Sequence, residues 1–176
     1  MVDRPIRPGF AEGFKQEVHV VATTFAIDGD NAPDCMCVGG ASAALLIASA
    51  PFDGPVACVR IARNAETREF IVNPTYAEQE TSDLELTIAG TKDYISMVEA
   101  GADQVGEEDM LAAMNFGQEA IAAFCEKQAE FLSMVDIQKR EWPIHVPDAS
   151  IAERVNAHYD AMSAALKDAD KQSRIA

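Results

Sequence analysis

Residues 39–50 constrain the fold most strongly, because they are small and apolar on every side. The run reads Gly-Gly-Ala-Ser-Ala-Ala-Leu-Leu-Ile-Ala-Ser-Ala and is followed by Pro51. A helix that has no polar face is normally buried, and small side chains allow a neighbouring element to approach it closely. The sequence therefore predicts a buried helix that ends before Pro51.

Segments that favour β-structure lie on both sides of this helix. Residues 18–27 are rich in β-branched side chains and run into a loop rich in Asp, Gly and Asn, which predicts a first strand. Turn residues between Pro55 and Gly101 separate further short strands. Their predicted bounds are 56–62, 69–73, 84–89 and 94–99. Together with the helices, this pattern indicates an α+β fold.

Two helices are predicted in the C-terminal half. The first opens with Glu107, Glu108 and Asp109, acids that a helix N-terminus favours, and runs to about residue 134. One side of it is predicted to pack in the core, with Met110, Met114, Ile121, Phe124, Cys125 and Leu132 at helical spacing. Residues 139–147 read as an extended connector. A capping box at Ser150 and Glu153 predicts a second helix, whose apolar side carries Ile151, Val155, Met162 and Leu166.

Composition limits the partners of this chain. The 14 basic and 29 acidic residues give a net charge of −15, which by itself disfavours nucleic-acid binding because phosphate is repelled. No apolar run approaches the length needed to span a membrane, and the N-terminus has no signal-peptide pattern. A cytoplasmic protein without membrane contact is expected. The cysteines, of which only Cys35 and Cys37 are close in sequence, do not complete a zinc-binding pattern, so reduced thiols and no metal site are expected.

The N-terminal residues 3–14 carry a family resemblance. They read Asp-Arg-Pro-Ile-Arg-Pro-Gly-Phe-Ala-Glu-Gly-Phe, and this pattern resembles a segment of the polynucleotide phosphorylases, inside the first of two RNase PH-like cores. Further similar stretches follow in the order of the family, at 38–45, 52–60, 70–76, 82–93, 97–102 and 168–174. The resemblance implies an RNase PH-like (ribosomal protein S5 domain 2-like) β/α core. This core would be partial over residues 1–136, with the start of an all-helical domain over 137–176.

The same resemblance implies the function of a longer protein. Polynucleotide phosphorylases degrade RNA from its 3′ end with inorganic phosphate as co-substrate, run in reverse as polymerases, and form a homotrimeric ring around an RNA channel. Mg²⁺ supports the chemistry and would be bound outside this chain. If upstream strands of the same sheet are missing here, an exposed edge is expected, and with it self-association or marginal stability of the isolated chain.

Two departures from the active core of the family predict that this core is catalytically silent. Where the active core has a serine pair that holds phosphate, this chain has Pro33-Asp34-Cys35-Met36-Cys37, and an aspartate repels phosphate. Where it has two aspartates six residues apart, this chain has Gln79 and Glu85. No catalytic residue and no metal ligand is therefore expected here. The neighbouring Glu78, Glu80 and Asp83 are read, with Glu85, as a solvated acidic loop.

RNA contact is predicted at Arg4 and Arg7, in the one motif that the family directs to its channel. Arginine suits phosphate because its planar fork makes two parallel hydrogen bonds. The alternative is that both arginines only pair with nearby acids such as Asp3 and Glu12. Gly9 and Ala11 stand where bulkier residues are usual, which predicts a looser segment. A second reading of the whole chain is an independent acidic α+β interaction or assembly module with no RNA role.

Overall fold

A four-stranded antiparallel sheet forms the centre of the fold in the computed structural model, which describes residues 1–138 and 140–174. The strand order is β2-β1-β3-β4, so β1 and β3 are the central strands. The predicted strands between Pro55 and Gly101 are confirmed with shifted ends. Their bounds are β1 Ala57–Asn64, β2 Phe70–Val72, β3 Ser82–Gly90 and β4 Ile95–Ala102.

Helices lie on both faces of this sheet, and the α+β class is confirmed. In chain order they are α1 Asp3–Ile6, which continues into a 3-10 turn at Arg7–Gly9, α2 Asp34–Ile47, α3 Tyr76–Glu80, α4 Glu107–Ser133, α5 Ala149–Asn156 and α6 Tyr159–Leu166. None of the helices in the described part of the chain is both long and apolar enough to cross a membrane.

The sheet separates two hydrophobic clusters, because successive side chains of a strand point to opposite faces. On one face α2 covers Val56 and Cys58, and on the other α4 covers Val59 and Ile61. The small-residue helix is thus confirmed as a core element, although only its inner side is buried, with Val38, Ala41, Ser42, Leu45 and Leu46. Its outer side remains exposed, for example at Met36.

Helix α4 packs closely on the sheet, as the spacing of its apolar residues predicts. Ile121 and Cys125 are buried in the cluster on that face, and Met110, Met114 and Phe124 pack around them. Gly117 lies at the closest approach, since a Cβ atom there would be 2.4 Å from Cδ1 of Ile88. The absence of a side chain at this position therefore lets the helix backbone approach β3.

A buried ion-pair network joins β1, β3 and the start of α4. The Arg63 side chain is only 1% exposed, and its Nε and Nη2 atoms donate to both carboxylate oxygens of Asp83 at 2.8 and 2.6 Å. Its Nη1 atom lies 2.6 Å from Oδ2 of Asp109, and Arg68 contacts both acids from outside. The hydrogen bonds from Arg63 lower the pKa of Asp83, although burial opposes this shift.

The strand predicted over residues 18–27 is wrong. These residues are not assigned to any strand, and Val21 and Phe25 are 71% and 96% exposed. β-Branched residues favour a strand only when a neighbouring strand pairs with them and buries one face. Within residues 1–138 and 140–174, the sheet has no strand at this position. The expected self-association of the isolated chain stays a prediction.

The start of the tail helix also differs from its prediction. Asp148, rather than Ser150, caps the helix, because its Oδ1 atom accepts from the Ser150 N–H at 2.9 Å. The helix then breaks at residues 157–158 into α5 and α6. Its predicted apolar side is exposed, with Ile151, Val155, Met162 and Leu166 between 56% and 77%.

Substituting Asp83 tests the ion-pair network. We expect Asp83→Ala to lower the free energy of unfolding at pH 7 by about 3 kcal/mol, because loss of one partner leaves a buried charge poorly compensated. Urea unfolding followed by circular dichroism measures this difference. Glu119→Ala, which removes an exposed carboxylate of α4, is the control and should change stability little.

A second variant of the same residue, Asp83→Asn, gives a test of pH dependence. Because the folded-state pKa of Asp83 is lowered, its contribution is complete above the unfolded value of about 3.9 and is lost as the pH falls towards the folded value. The wild type should therefore lose more stability than Asp83→Asn between about pH 6 and about pH 3. Equal losses in both proteins would contradict the role of this ion pair.

Candidate functional site

The first candidate region is the surface that carries Arg4 and Arg7. Both side chains are exposed, at 62% and 76%. The Nε and Nη2 atoms of Arg7 donate to the carboxylate of Asp3 at 3.1 and 2.7 Å. Nη1 of Arg4 lies 3.7 Å from Oε2 of Glu99 on β4, and not beside Glu12. Exposed pairs of this kind contribute at most about 1 kcal/mol, so a phosphate group can replace either carboxylate.

The backbone under these arginines is held firmly. Pro5 and Ile6 are buried, and the Gly9 carbonyl accepts from the Asp53 N–H at 2.6 Å. A Cβ atom at Gly9 would lie 2.5 Å from the ring of Phe52, so this position packs closely against the core. The loosening predicted at Gly9 is therefore not observed.

An open cleft of about 880 Å³ runs beside this segment. Its walls include Arg7, the rings of Phe10 and Phe14, and His19. The two phenylalanine rings are stacked, with centroids 5.5 Å apart and planes 7° apart. A cleft with one arginine and stacked aromatic rings has the chemistry of a surface that contacts single-stranded nucleic acid, but Asp3 and Glu17 also line it.

The second candidate region is the N-terminus of α2, which corresponds, by the family resemblance, to the position where the active core would hold phosphate. Here the Asp34 carboxylate accepts from the Cys35 N–H at 2.8 Å and from Nη2 of Arg60 at 2.7 Å. Arg60, 12% exposed, also lies 3.2 Å from Oε1 of Glu85. A helix N-terminus and an arginine together favour an anion. In this chain the anion is the side chain of Asp34 itself.

The third candidate region contains the positions of the broken aspartate pair. Gln79 and Glu85 line one shallow pocket of about 230 Å³, together with Asp83. The Gln79 amide donates to the Pro74 carbonyl at 3.2 Å, and Glu85 pairs with Arg60. Each of the two positions is thus engaged in a contact inside the protein.

The other acids of this loop are also engaged. Glu78 caps α3 through the Thr75 N–H at 2.8 Å, a hydrogen bond that lowers its pKa. Glu78, Glu80 and Glu85 are exposed, as predicted, but Asp83 is not a solvated loop residue, because it pairs with buried Arg63. Among the described residues, no group of three or more His, Cys, Asp or Glu side chains is arranged to hold a metal ion.

Sequence reasoning missed Arg60 and Arg63, which organise the second and third regions. Both lie in β1, and their side chains are mostly or wholly buried. Arginine is almost never fully buried unless it is paired. Arg60 inside the predicted strand 56–62, with Arg63 directly after it, was therefore a usable signal that carboxylates would face that strand.

Comparison with known proteins shows what this chain is similar to. Residues 54–120 match the 3′ exoribonuclease family, domain 2. The whole chain is 43% identical to the polyribonucleotide nucleotidyltransferase of Listeria welshimeri, and spans 24% of that protein. The enzyme of the same name from Geobacillus kaustophilus is 44% identical over 88% of the chain. The chain thus covers about a quarter of the length of these relatives.

A solved structure supports the fold. Rice Rrp46 superposes with a TM-score of 0.53 at 15% identity, covering 61% of this chain and 51% of that protein. At this identity the likeness concerns the fold alone. With the family match to residues 54–120, it confirms the predicted RNase PH-like α+β fold.

Replacing Asp34 tests whether its carboxylate fills an anion position. We expect inorganic phosphate to stabilise Asp34→Ser, since this change removes the carboxylate that occupies Nη2 of Arg60 and leaves a hydroxyl beside the Cys35 N–H. The stabilisation should reach about 1.4 kcal/mol at phosphate ten times its Kd. Thermal unfolding in phosphate and in chloride of equal ionic strength measures it. Wild type and Asp53→Ser should show no phosphate-specific effect, and an equal response in all three proteins would contradict the interpretation.

Proposed function

We propose, on the premise that this chain is homologous over its whole length to one segment of the polyribonucleotide nucleotidyltransferases, that it is the later part of a first RNase PH-like core. Residues 1–136 would belong to that core and residues 137–176 to the start of an all-helical domain. The parent protein would be a phosphate-dependent 3′-to-5′ exoribonuclease that acts reversibly on RNA in the cytoplasm.

Within that enzyme, this segment has a structural role and the chemistry takes place elsewhere. The observation that carries this proposal is the Asp34–Arg60 pair at 2.7 Å, because it places a carboxylate where phosphorolysis needs a bound phosphate. A phosphate at that position would meet like charge, and Arg60 is already neutralised. The segment would therefore serve as scaffold, in assembly of a homotrimer, and in guiding RNA.

The residues present do not fit a catalytic Mg²⁺ site. Magnesium is usually held by one or two carboxylates together with substrate phosphates. Here one of the two family positions is Gln79, while Glu85 and Asp83 are bound to arginines at 3.2 and 2.6 Å. In the proposed enzyme, Mg²⁺ is therefore held outside this chain, and inorganic phosphate reacts there as co-substrate.

RNA guidance would come from Arg4 and Arg7. Their backbone is fixed by buried Pro5 and Ile6, whereas the two guanidinium groups are exposed and pair with exposed carboxylates. A fixed backbone limits the entropy that is lost when phosphate binds. The nearby rings of Phe10 and Phe14 offer a surface for a base.

One observation favours the alternative of an independent acidic interaction module. The net charge of −15 is spread over a surface that also exposes large apolar groups such as Phe25 and Leu166. Exposed apolar groups beside charged residues are typical of protein-interaction surfaces. The alternative predicts no RNA binding through the exposed Arg4 and Arg7 side chains, so an RNA-binding measurement distinguishes the two proposals.

The proposal predicts no phosphorolysis by this chain alone. With poly(A), inorganic phosphate and Mg²⁺, the purified protein should release no nucleoside diphosphate above the level without phosphate, because no described site combines a phosphate pocket with free carboxylates. Thin-layer chromatography of labelled products measures this. Phosphate-dependent release that is lost in Glu85→Gln would overturn the assignment of a silent core.

RNA binding should depend on the two N-terminal arginines. We expect Arg4→Gln/Arg7→Gln to weaken binding of a single-stranded oligoribonucleotide and to reduce the slope of log Kobs against log salt by about 0.7 per arginine. Fluorescence anisotropy at several salt concentrations measures both values. Arg154→Gln/Lys127→Gln removes two positive charges from α5 and α4 and is the matched control. If both double variants lost RNA affinity equally, the effect would come from net charge and would contradict a specific role of Arg4 and Arg7.

A further inference from the structure

The contacts between α2 and β1 place two cysteines opposite each other. The Asp34–Arg60 pair at 2.7 Å joins the start of the helix to one end of the contact. At the other end the Val56 N–H donates to Oγ of Ser42 at 2.9 Å. Alternate strand residues share a face, so Cys58 faces α2 between these two contacts. Cys35, next to Asp34, lies on the part of the helix that covers it.

Burial agrees with this placement. The side chains of Cys35 and Cys58 are 4% and 1% exposed and belong to the same hydrophobic cluster. Both thiols are free in this structure, and both lie between α2 and β1, which the flanking bonds hold together. A disulfide requires two cysteines on elements that are held close together, and this arrangement provides such elements.

The two thiols differ in accessibility. Cys35 lines a small open pocket of about 150 Å³, with Arg60, Asn73 and Met36 in its walls, whereas Cys58 does not line it. The hydrogen bond with Cys58 lowers the pKa of Cys35, burial and Asp34 oppose this shift, and Arg60 favours it. The same hydrogen bond and burial raise the pKa of Cys58. Cys35, although mostly buried, is thus the one of the two that lines a pocket, and its lowered pKa favours the thiolate, which is the reactive species.

We propose that Cys35 and Cys58 form a reversible thiol–disulfide site that responds to hydrogen peroxide or a similar small two-electron oxidant. The Cys35 thiolate attacks one peroxide oxygen, the O–O bond breaks, and Cys35 becomes a sulfenic acid while the other oxygen leaves as hydroxide and takes up a proton to form water. The Cys58 sulfur then attacks the Cys35 sulfur. The S–O bond breaks, and the hydroxyl leaves with the Cys58 proton as a second water. A dithiol reductant reverses the change.

The remaining cysteines are placed differently. Cys125 lies on α4, on the opposite face of the sheet, where its thiol contacts the Pro55 carbonyl oxygen at 3.4 Å and burial raises its pKa to about 11. The half-buried Cys37 thiol contacts the Pro33 carbonyl oxygen at 3.5 Å, within its own helix. These contacts give neither thiol the partner that Cys35 and Cys58 provide for each other.

The proposal is tested on the full chain by mass spectrometry. The reduced protein, freed of reductant, is treated with stoichiometric hydrogen peroxide, and remaining thiols are alkylated in denaturant. We expect a monomer that has lost two hydrogen atoms and retains two alkylated cysteines. A non-reducing peptide map should show a cross-link between the peptides that contain Cys35 and Cys58, and dithiothreitol should remove it.

Matched variants assign the cross-link. Cys37→Ser and Cys125→Ser should still form it, whereas Cys35→Ser and Cys58→Ser should not. Because the map of the wild-type protein alone identifies the partners, the test holds even if a core variant fails to fold. A cross-link through Cys37 or Cys125, a cross-link between two chains, or oxidation of Cys35 without any cross-link would overturn the proposal.

Discussion

The contact between buried Arg63 and Asp83 is the interaction on which the rest of the structure depends. Arg63 is 1% exposed, so its charge is tolerable only because carboxylates from β3 and α4 meet it. This requirement fixes the two central strands and the start of the long helix relative to one another. Beyond this ion pair, α4 packs on the sheet through apolar contacts, with Gly117 close to Ile88.

The other arginine of β1 pairs with an acid at the start of α2. Arg60 and the N-terminus of α2 would together attract an anion, and in this chain Asp34 supplies that anion at 2.7 Å. This pair is a contact between helix and sheet. The same contact holds the part of α2 that carries Cys35 on β1, which carries Cys58, so the features of this region follow from one arrangement of α2 on β1.

The sequence was a good guide wherever the information is local or periodic. It predicted the strands β1 to β4, the buried helix and the long helix with its core side, because periodic apolar residues report which face is covered. It was wrong for residues 18–27 and for the cap at Ser150. A strand needs a partner and a helix end needs the nearest available acceptor, which here is Asp148. Residue propensities do not predict whether a strand finds a pairing partner or which side chain caps a helix.

The sequence by itself thus determined the fold class, the order of the four strands and the two main helices, and the family resemblance, together with the presence of Asp34 and Gln79 at their positions. These depend on which residues occur and how they are spaced. Only the tertiary structure decided that Asp34 binds Arg60, that Asp83 binds Arg63, and that Arg4 and Arg7 remain exposed. Such partners come from positions distant in the sequence, and charge–charge contacts depend on distance and burial, which arise only when the elements pack together.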